Sequence, residues 1–286
     1  MLDMAENIHI KNPSELNQKI AKLKKDRINS LHIVADFDST LTKAFVDGEK
    51  VFSAFEQFRK HNNLGNDYTE RSYELKNHYR PLEFSKKLSV EEKKIKMNEW
   101  WEKHWKLMIE CGITLDSILN IVEKGKVENR EGTEELFELL RVKRVPFLIL
   151  SSGLGDFITA FYKQQNMLSE NVHIISNFFK FDKNGKSVDA FKPFITSYSK
   201  GTVLIKNFPY HKEIEERRNV ILLGDSLGDT NMSDGIKYDC VVKIGFINDR
   251  KEQDIDEFGK LFDVLILDDG DMYYVLEMLK DIVNKD

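Results

Sequence analysis

Short, almost continuous runs of apolar residues recur along the chain and alternate with segments of helical periodicity. The apolar runs are LHIVADF at 31–37, VPFLILS at 145–151, VHIIS at 172–176, VILLGD at 220–225, CVVKIGF at 240–246 and DVLIL at 263–267. Near-continuous apolar runs are typical of parallel strands, because helices cover both faces of such a sheet. The pattern therefore predicts an α/β fold with a doubly wound parallel sheet.

Two of the intervening helices have clear sequence signals. One is predicted from about Pro13 to Arg27, with Asn12 as its N-cap and the proline at the first helical position, where a missing N–H is harmless. The other is predicted from about Thr133 to Arg144, with Thr133 as its cap.

The alternation is interrupted between the first and second strands. FVDGEKVF at 45–52 has Asp-Gly between two short β-prone pieces, which predicts a hairpin. Ser89 and Glu92 form a capping-box pattern, and the helix that follows should run to Gly112. A second helix is predicted at about 115–124.

This interruption predicts two domains. Residues 1–43 and 131–286 would form the α/β catalytic core, and residues 44–130 a helical cap inserted between the first and second core strands. The length of 286 residues fits this division. We call residues 44–130 the cap.

Composition narrows the classes of function. With 41% hydrophobic and 32% charged residues, the chain is expected to fold as a globular protein. The net charge of −5 disfavours nucleic-acid binding. No apolar stretch predicts a membrane span, and no signal peptide is recognisable. Cys111 and Cys240 form neither a disulfide nor a zinc pattern. We expect a cytoplasmic protein, and a monomer is favoured although no residue pattern addresses the oligomeric state.

Polar residues follow three of the predicted strands. The first strand ends in ADFDST, the second in LSSG, and the strand at 220–224 in GDSLGD; DAFKPF, with Lys192, lies between the last two. In open α/β sheets the site lies outside the carboxyl ends of the strands. Four acids, two serines and a lysine are therefore expected to converge there.

This set of residues suits phosphoryl transfer through an aspartyl-phosphate. Asp36 and Asp225 can supply carboxylates to Mg²⁺, which also lets like charges lie close together. Asp38 can protonate the leaving oxygen and then activate water. The remaining polar groups can stabilise the phosphoryl oxygens: Ser151 and Ser152 by hydrogen bonds, and Lys192 by its charge.

The order of these motifs resembles that of the haloacid dehalogenase superfamily of phosphatases. The resemblance implies that Asp36 is the nucleophile and that Asp38 is the acid/base, which also gives Mg²⁺ its backbone carbonyl. It further implies that Asp225 is a metal ligand and that Asp229 supports the site. Plain turn acids are the alternative for the two aspartates of ADFDST.

A closer resemblance is to the cytosolic 5′-nucleotidase III, or pyrimidine 5′-nucleotidase, family. It is carried by DFDSTLT, LSVEEK, MNEWWEKHW, LSSGLGDF, SNFFKFD, LLGDSLGD and KIGFINDR. The resemblance implies Mg²⁺-dependent dephosphorylation of nucleoside 5′-monophosphates under a helical cap. Glu83 occupies the place of the family's base-recognising glutamate, and His104 that of a small polar cap residue, a serine in familiar members. Phosphoryl transfer to another nucleoside is also implied.

The tryptophans of the cap are open to two interpretations. Met97, Trp101, Trp105 and Met108 form one helical stripe, which more often belongs to a core. Trp100 and Trp101 are adjacent and cannot both point inward, so we expect Trp101 or His104 to contact the nucleobase. Two rival functions stay open: a phosphatase for another small phosphate such as phosphoserine, and a catalytically silent binding protein.

Overall fold

A computed structural model describes residues 6–202 and 205–283 of the chain. Its strands are β1 (Ile8–His9), β2 (Leu31–Ala35), β3 (Phe45–Val46), β4 (Glu49–Lys50), β5 (Phe147–Leu154), β6 (Val172–Asn177), β7 (Phe179–Phe181), β8 (Ser187–Ala190), β9 (Asn219–Gly224), β10 (Cys240–Ile247) and β11 (Val264–Leu267). Its α-helices are α1 (Pro13–Asp26), α2 (Ala54–Lys60), α3 (Asn66–Glu83), α4 (Val90–Glu110), α5 (Leu115–Lys124), α6 (Thr133–Val142), α7 (Gly155–Gln164), α8 (Tyr210–Ile214), α9 (Glu252–Phe258) and α10 (Tyr273–Val283).

The central sheet has the strand order β1-β11-β10-β9-β2-β5-β6. All neighbouring strands are parallel except β1, which pairs antiparallel with β11. The six apolar runs each form one parallel strand, so the predicted α/β class is confirmed. β2 lies between β5 and β9, and the segments after these three strands therefore meet at one edge of the sheet.

Alternate residues of each strand enter two apolar clusters on opposite faces of the sheet. In β2, Ile33 and Ala35 belong to one cluster and Val34 to the other. In β9, Leu223 and Leu222 are divided in the same way. Both faces are thus buried, and this is why these strands appear in the sequence as continuous apolar runs.

Local sequence signals placed most of the smaller elements correctly. Asn12 caps α1 through its side-chain oxygen, which accepts from the Glu15 amide at 3.2 Å. The capping box of Ser89 and Glu92 begins α4. One detail was wrong: Gly132, not Thr133, is the N-cap of α6, because the Thr133 hydroxyl donates instead to the Leu41 carbonyl at 3.2 Å.

The segment between β2 and β5 contains the β3–β4 hairpin and helices α2 to α5, as predicted. The chain enters and leaves this segment side by side: the Lys43 amide donates to the Glu128 carbonyl at 3.0 Å, and Thr42 bridges to Asn129. The exact division into core and cap stays a prediction. Among the described residues, no helix is both long and apolar enough to cross a membrane.

Candidate active site

The loop after β2 carries the two aspartates of the DxD pattern. Phe37, between them, is buried against the rings of Phe157, Phe161 and Tyr162. The Phe37 amide also donates to Asp36 Oδ1 at 2.8 Å. Burial of the intervening phenylalanine therefore anchors the loop while its two neighbours keep polar surroundings.

A buried lysine lies among the acids of the site. Lys200 Nζ is 2.8 Å from Asp36 Oδ2 and 2.7 Å from Asp229 Oδ1. Asp229 Oδ2 in turn accepts from the amide and the hydroxyl of Ser226, at 2.9 Å and 2.7 Å. Asp229 therefore holds the lysine in place from the loop after β9, and its supporting role in the reaction stays a prediction.

The acids outnumber this single cation. Carboxylate oxygens of Asp36, Asp225 and Asp229 all lie within 4.8 Å of one another. Burial raises the pKa of Asp36 to about 7 although the charge of Lys200 opposes the shift. Burial, together with the charges of Asp229 and Asp36, raises the pKa of Asp225 well above its usual value.

This arrangement fits a divalent cation. Asp225 accepts one long hydrogen bond, from Thr40 Oγ1 at 3.5 Å, so its negative charge is poorly compensated by the described protein groups. Buried charges are normally paired or coordinate metals, and Mg²⁺ prefers carboxylate oxygens. Asp36 and Asp225 could hold Mg²⁺ as predicted. The contribution expected from the Asp38 backbone carbonyl stays a prediction.

Asp38 lies beside the carboxyl end of β5. Its Oδ2 is 3.4 Å from the position that a Cβ atom on Gly153 would occupy, and Ser151 Oγ is 3.1 Å from the same position. A side chain at 153 would therefore crowd Ser151 Oγ and touch the Asp38 carboxylate. Burial raises the pKa of Asp38 to about 6, which suits a group that must hold and release a proton near neutral pH.

The two serines of LSSG have different surroundings. Ser151 is buried, and its Oγ accepts from the Gly153 amide at 3.0 Å. The carbonyl of Ser152 accepts from Asn177 Nδ2 at 2.9 Å and from Trp101 Nε1 at 3.3 Å. The carboxyl end of β5 is thus fixed by β6 on one side and by the cap on the other.

The prediction for Lys192 was wrong in position. Lys192 is an exposed residue whose Nζ lies 3.4 Å from Glu102 Oε1 of the cap, whereas Lys200 supplies the cation of the site. Lys192 follows β8, which pairs with β7 in a separate small hairpin. Because β8 belongs to this unpredicted hairpin, Lys192 does not follow a strand of the main sheet. The useful signal was the second lysine, eight residues later in ITSYSKG.

Of the predicted cap residues, Glu83 lies next to the core. Its Oε1 accepts from Ser197 Oγ at 2.8 Å, and its Oε2 is 2.6 Å from Arg80 Nη1. The Tyr198 hydroxyl donates to its backbone carbonyl at 2.7 Å. Glu83 therefore contacts the loop that leads to Lys200, which places it at the boundary between the cap and the acidic end of the sheet.

The two other cap residues differ from one another. Trp101 reaches the core through its hydrogen bond to Ser152, while Trp100 is buried and stacks on Tyr79 with ring centroids 5.9 Å apart. The planes of the two indoles are 89° apart, and Trp101 is partly buried, with its ring centroid 6.2 Å from that of Phe55. His104 is buried and its Nε2 lies 3.0 Å from the Tyr68 hydroxyl. The structure therefore corrects the expectation that His104 contacts the substrate.

Three further residues near the site were missed in the sequence. Arg130 and Asn248 both contact the Ser39 carbonyl, and Asp269 pairs with the arginine. No chemical motif marks them, since each acts on backbone atoms of distant segments.

Solved structures of similar shape support the assignment of the fold. One described as a phospho-aspartyl intermediate analogue of phosphoserine phosphatase matches with a TM-score of 0.51 at 17% identity, covering 86% of this chain and 97% of that chain. The central sheet and the segment inserted after β2 define a haloacid dehalogenase-like fold.

More similar proteins identify the family. The family model for pyrimidine 5′-nucleotidase (UMPH-1) matches residues 39–283, and the chain belongs to this family. A Xenopus laevis relative named 7-methylguanosine phosphate-specific 5′-nucleotidase A is 31% identical over 281 residues, which is 98% of this chain and 97% of the relative. The human protein named 7-methylguanosine phosphate-specific 5′-nucleotidase is 29% identical over 282 residues, which is 98% of this chain and 94% of that protein.

A crystal structure of cytosolic 5′-nucleotidase IIIB bound to cytidine superposes with a TM-score of 0.87 at 28% identity, covering 99% of this chain and 95% of that one. The chain is accordingly a 5′-nucleotidase, a phosphoric monoester hydrolase, and the predicted family is confirmed.

Proposed function

We propose that the chain is an Mg²⁺-dependent 5′-nucleotidase that hydrolyses 7-methylguanosine 5′-monophosphate and pyrimidine nucleoside 5′-monophosphates through an aspartyl-phosphate on Asp36. The observation that carries the proposal is the meeting of Asp36, Asp225 and Lys200 at one end of the sheet, next to a loop that Trp101 of the cap contacts. The names of the relatives support both classes of base.

The reaction uses the residues of the chain in two steps. In the first, an oxygen of Asp36 attacks phosphorus while the departing 5′ oxygen takes its proton from Asp38. In the second, Asp38 accepts a proton from water, which attacks the phosphorus of the aspartyl-phosphate and releases phosphate. Lys200 and Ser151 stabilise the charge on the phosphoryl oxygens. Asp36 and Asp225 would hold Mg²⁺, which would supply further charge neutralisation there.

Recognition of the base is assigned to the cap. Glu83 is an acceptor for an amino group of cytosine or guanine, once its hydrogen bond from Ser197 is exchanged for one from the base. Trp101 offers a stacking surface, and the positive charge of a 7-methylguanine adds a cation–π contribution to stacking.

The same intermediate permits phosphoryl transfer to a second nucleoside, because the acceptor hydroxyl needs only to replace water at the Asp36 phosphate. Relatives named as cytosolic support a cytoplasmic location. We expect small nucleotides rather than nucleic acids or membranes as partners, and a monomer as the working form.

The test is phosphate release, with Mg²⁺ and with chelator, from CMP, UMP, 7-methyl-GMP, AMP and phosphoserine, using Asp36→Asn as the control. Turnover of 7-methyl-GMP and a pyrimidine nucleotide, abolished by chelator and by the substitution, is expected. Turnover of phosphoserine alone would overturn the assignment of the cap. Absence of turnover with every substrate would favour a silent binding protein.

A further inference from the structure

Arg130 is buried, with 1% of its surface exposed, and it holds the loop that carries Asp38. Its Nη2 donates to the Ser39 carbonyl at 2.8 Å and to the Thr42 carbonyl at 3.3 Å. Its Nε donates to the Thr40 carbonyl at 2.9 Å. One guanidinium thus binds three backbone oxygens within four residues of the catalytic loop.

The other side of the guanidinium faces the loops after β10 and β11. Arg130 Nη1 lies 3.0 Å from Asp269 Oδ1 and also donates to the Gly270 carbonyl. Its Nη2 donates to Asn248 Oδ1 at 2.9 Å. The Nδ2 of Asn248 then donates to the Ser39 carbonyl at 2.9 Å, so that oxygen has two donors.

Asp269 extends this network to the start of the cap. Its two carboxylate oxygens accept from the amides of Ala44 and Phe45, both at 2.9 Å. Ala44 follows the pairing of Lys43 with Glu128, and Arg130 comes two residues after that glutamate. The Arg130–Asp269 pair therefore joins both chain crossings between core and cap to the catalytic loop.

Ser39 shows why the loop needs such support. Its φ is +59°, in the left-handed region that residues with a Cβ atom rarely adopt. Conformations of this kind persist only where the surrounding structure determines them. The two donors on the Ser39 carbonyl fix the Ser39–Thr40 peptide, the second peptide after Asp38.

We propose that Arg130 is a positioning residue for the reaction: it fixes Asp38 through the backbone and couples that position to the two chain crossings between core and cap. The inference rests on the proposed function, because it assumes that Asp38 is the proton donor and acceptor. Arg130 itself does not contact the reacting atoms.

Arg217 is the matched control for a purely structural arginine. It also donates to three carbonyls, those of Ile28, Leu31 and Arg144, at 3.1, 2.7 and 3.3 Å. These lie near the amino end of β2, away from the carboxyl end where Asp36 follows the strand. Loss of Arg217 should reduce stability without changing the geometry of the site.

The experiment compares Arg130→Lys with Arg217→Lys in the full chain, with the best nucleotide of the panel and Mg²⁺. Lysine keeps the charge, but its single ammonium cannot reproduce the fork of donors. A displacement of about 1 Å at a catalytic group can cost about 100-fold in rate. We expect kcat of Arg130→Lys to fall about 100-fold with KM within threefold, and kcat of Arg217→Lys to stay within twofold.

A second variant separates positioning from stability. In Arg130→Ala, millimolar guanidinium should restore at least a tenth of the wild-type kcat, because it can occupy the vacated site. If Arg130→Ala does not fold, Asn248→Ala replaces it, and a fall in kcat of about 10-fold is expected from loss of one donor on Ser39.

Equal effects of Arg130→Lys and Arg217→Lys on kcat would overturn the role of Arg130. The role would also be overturned if Asn248→Ala and Arg130→Lys, measured as separate variants, both had the wild-type kcat. These outcomes presuppose an active wild-type chain that Asp36→Asn silences. An inactive wild type would instead overturn the proposed function, and with it the role of Arg130.

Discussion

Lys200 Nζ lies 2.8 Å from Asp36 Oδ2, and both side chains are almost completely buried. The ammonium group also lies 2.7 Å from Asp229 Oδ1, which fixes it from the opposite side. The proposed nucleophile is therefore aligned by a cation from a different segment of the chain, and the charge of that cation is available to the phosphoryl oxygens.

Replacement of this lysine tests the assignment directly. Lys200→Met should lower kcat by about 100-fold or more, because preorganised charge at the transferring group contributes several kcal/mol. Lys192→Met is the matched control: its lysine is exposed beside Glu102, so kcat should stay within about twofold. Phosphate release by both variants decides between the two lysines. A large loss in Lys192→Met with none in Lys200→Met would reverse the assignment.

The carboxylate of Asp225 should lower the stability of the metal-free protein and bind Mg²⁺ when the ion is present. In chelator at pH 7.5, Asp225→Asn is expected to have a Tm equal to or above that of the wild type, because it removes a buried charge next to Asp36 and Asp229. Addition of Mg²⁺ should raise the Tm of the wild type and leave that of Asp225→Asn unchanged. Thermal unfolding with and without Mg²⁺ measures both effects. An equal Mg²⁺-induced shift in the two proteins would exclude Asp225 as a ligand.

Substitution of Trp101 should affect substrate binding, whereas substitution of the adjacent Trp100 should affect the stability of the fold. Stacking of a base on an aromatic side chain contributes about 1–3 kcal/mol. Trp101→Ala should therefore raise KM for 7-methyl-GMP by roughly tenfold or more, and by a smaller factor for CMP, which lacks the cationic ring.

Trp100→Ala is the control for that experiment. Trp100 is buried against Tyr79, so its loss should cost about 3 kcal/mol or more in the free energy of unfolding and leave KM near the wild-type value. Steady-state kinetics and urea unfolding of the two variants test the pair. If KM responded to Trp100 rather than Trp101, the orientation of the two indoles in catalysis would be the reverse of that described.

His104 should make the cap sensitive to acid. Burial lowers its pKa from 6.5 to about 3, with a smaller contribution from the charge of Arg59. Between these two values the unfolded chain binds a proton that the folded chain does not, so stability falls as the pH decreases below about 6.5. At pH 5 the loss should be about 2 kcal/mol, at 1.36 kcal/mol for each pH unit.

His104→Gln removes that titration. Urea unfolding at pH 7 and pH 5 should show the difference in stability between the wild type and the variant change by about 2 kcal/mol in favour of the variant at the lower pH. Parallel pH dependences for the two proteins would mean that His104 keeps its ordinary pKa in the folded state.

The sequence was most informative about the central sheet, because the burial of its parallel strands is visible in short segments of the chain. The parallel strands are buried on both faces, so each appears as an apolar run, and their order places Asp36, Ser151 and Asp225 at adjacent strand ends. Sequence spacing failed for Lys192, because the β7–β8 hairpin inserts a detour whose length no local pattern reveals.

The residues that could not be predicted act through the backbone or inside the cap. Arg130 binds the backbone carbonyls of Ser39, Thr40 and Thr42. Because every residue has a backbone carbonyl, the sequence does not show which carbonyls an arginine will bind. The orientation of His104 depends on the packing of α3 against α4, where the Tyr68 hydroxyl meets its ring. Both relationships join residues at least 36 positions apart.

The most direct measurement is the covalent state of Asp36 during turnover. The full chain would be mixed with Mg²⁺ and its preferred nucleotide, quenched in acid within milliseconds, digested, and analysed by mass spectrometry for phosphoryl groups. The account predicts one phosphoryl group on the peptide that contains Asp36. In Asp36→Asn it predicts no phosphorylation of that peptide and no release of phosphate. Continued turnover by Asp36→Asn, or a phosphoryl group on another residue, would contradict it.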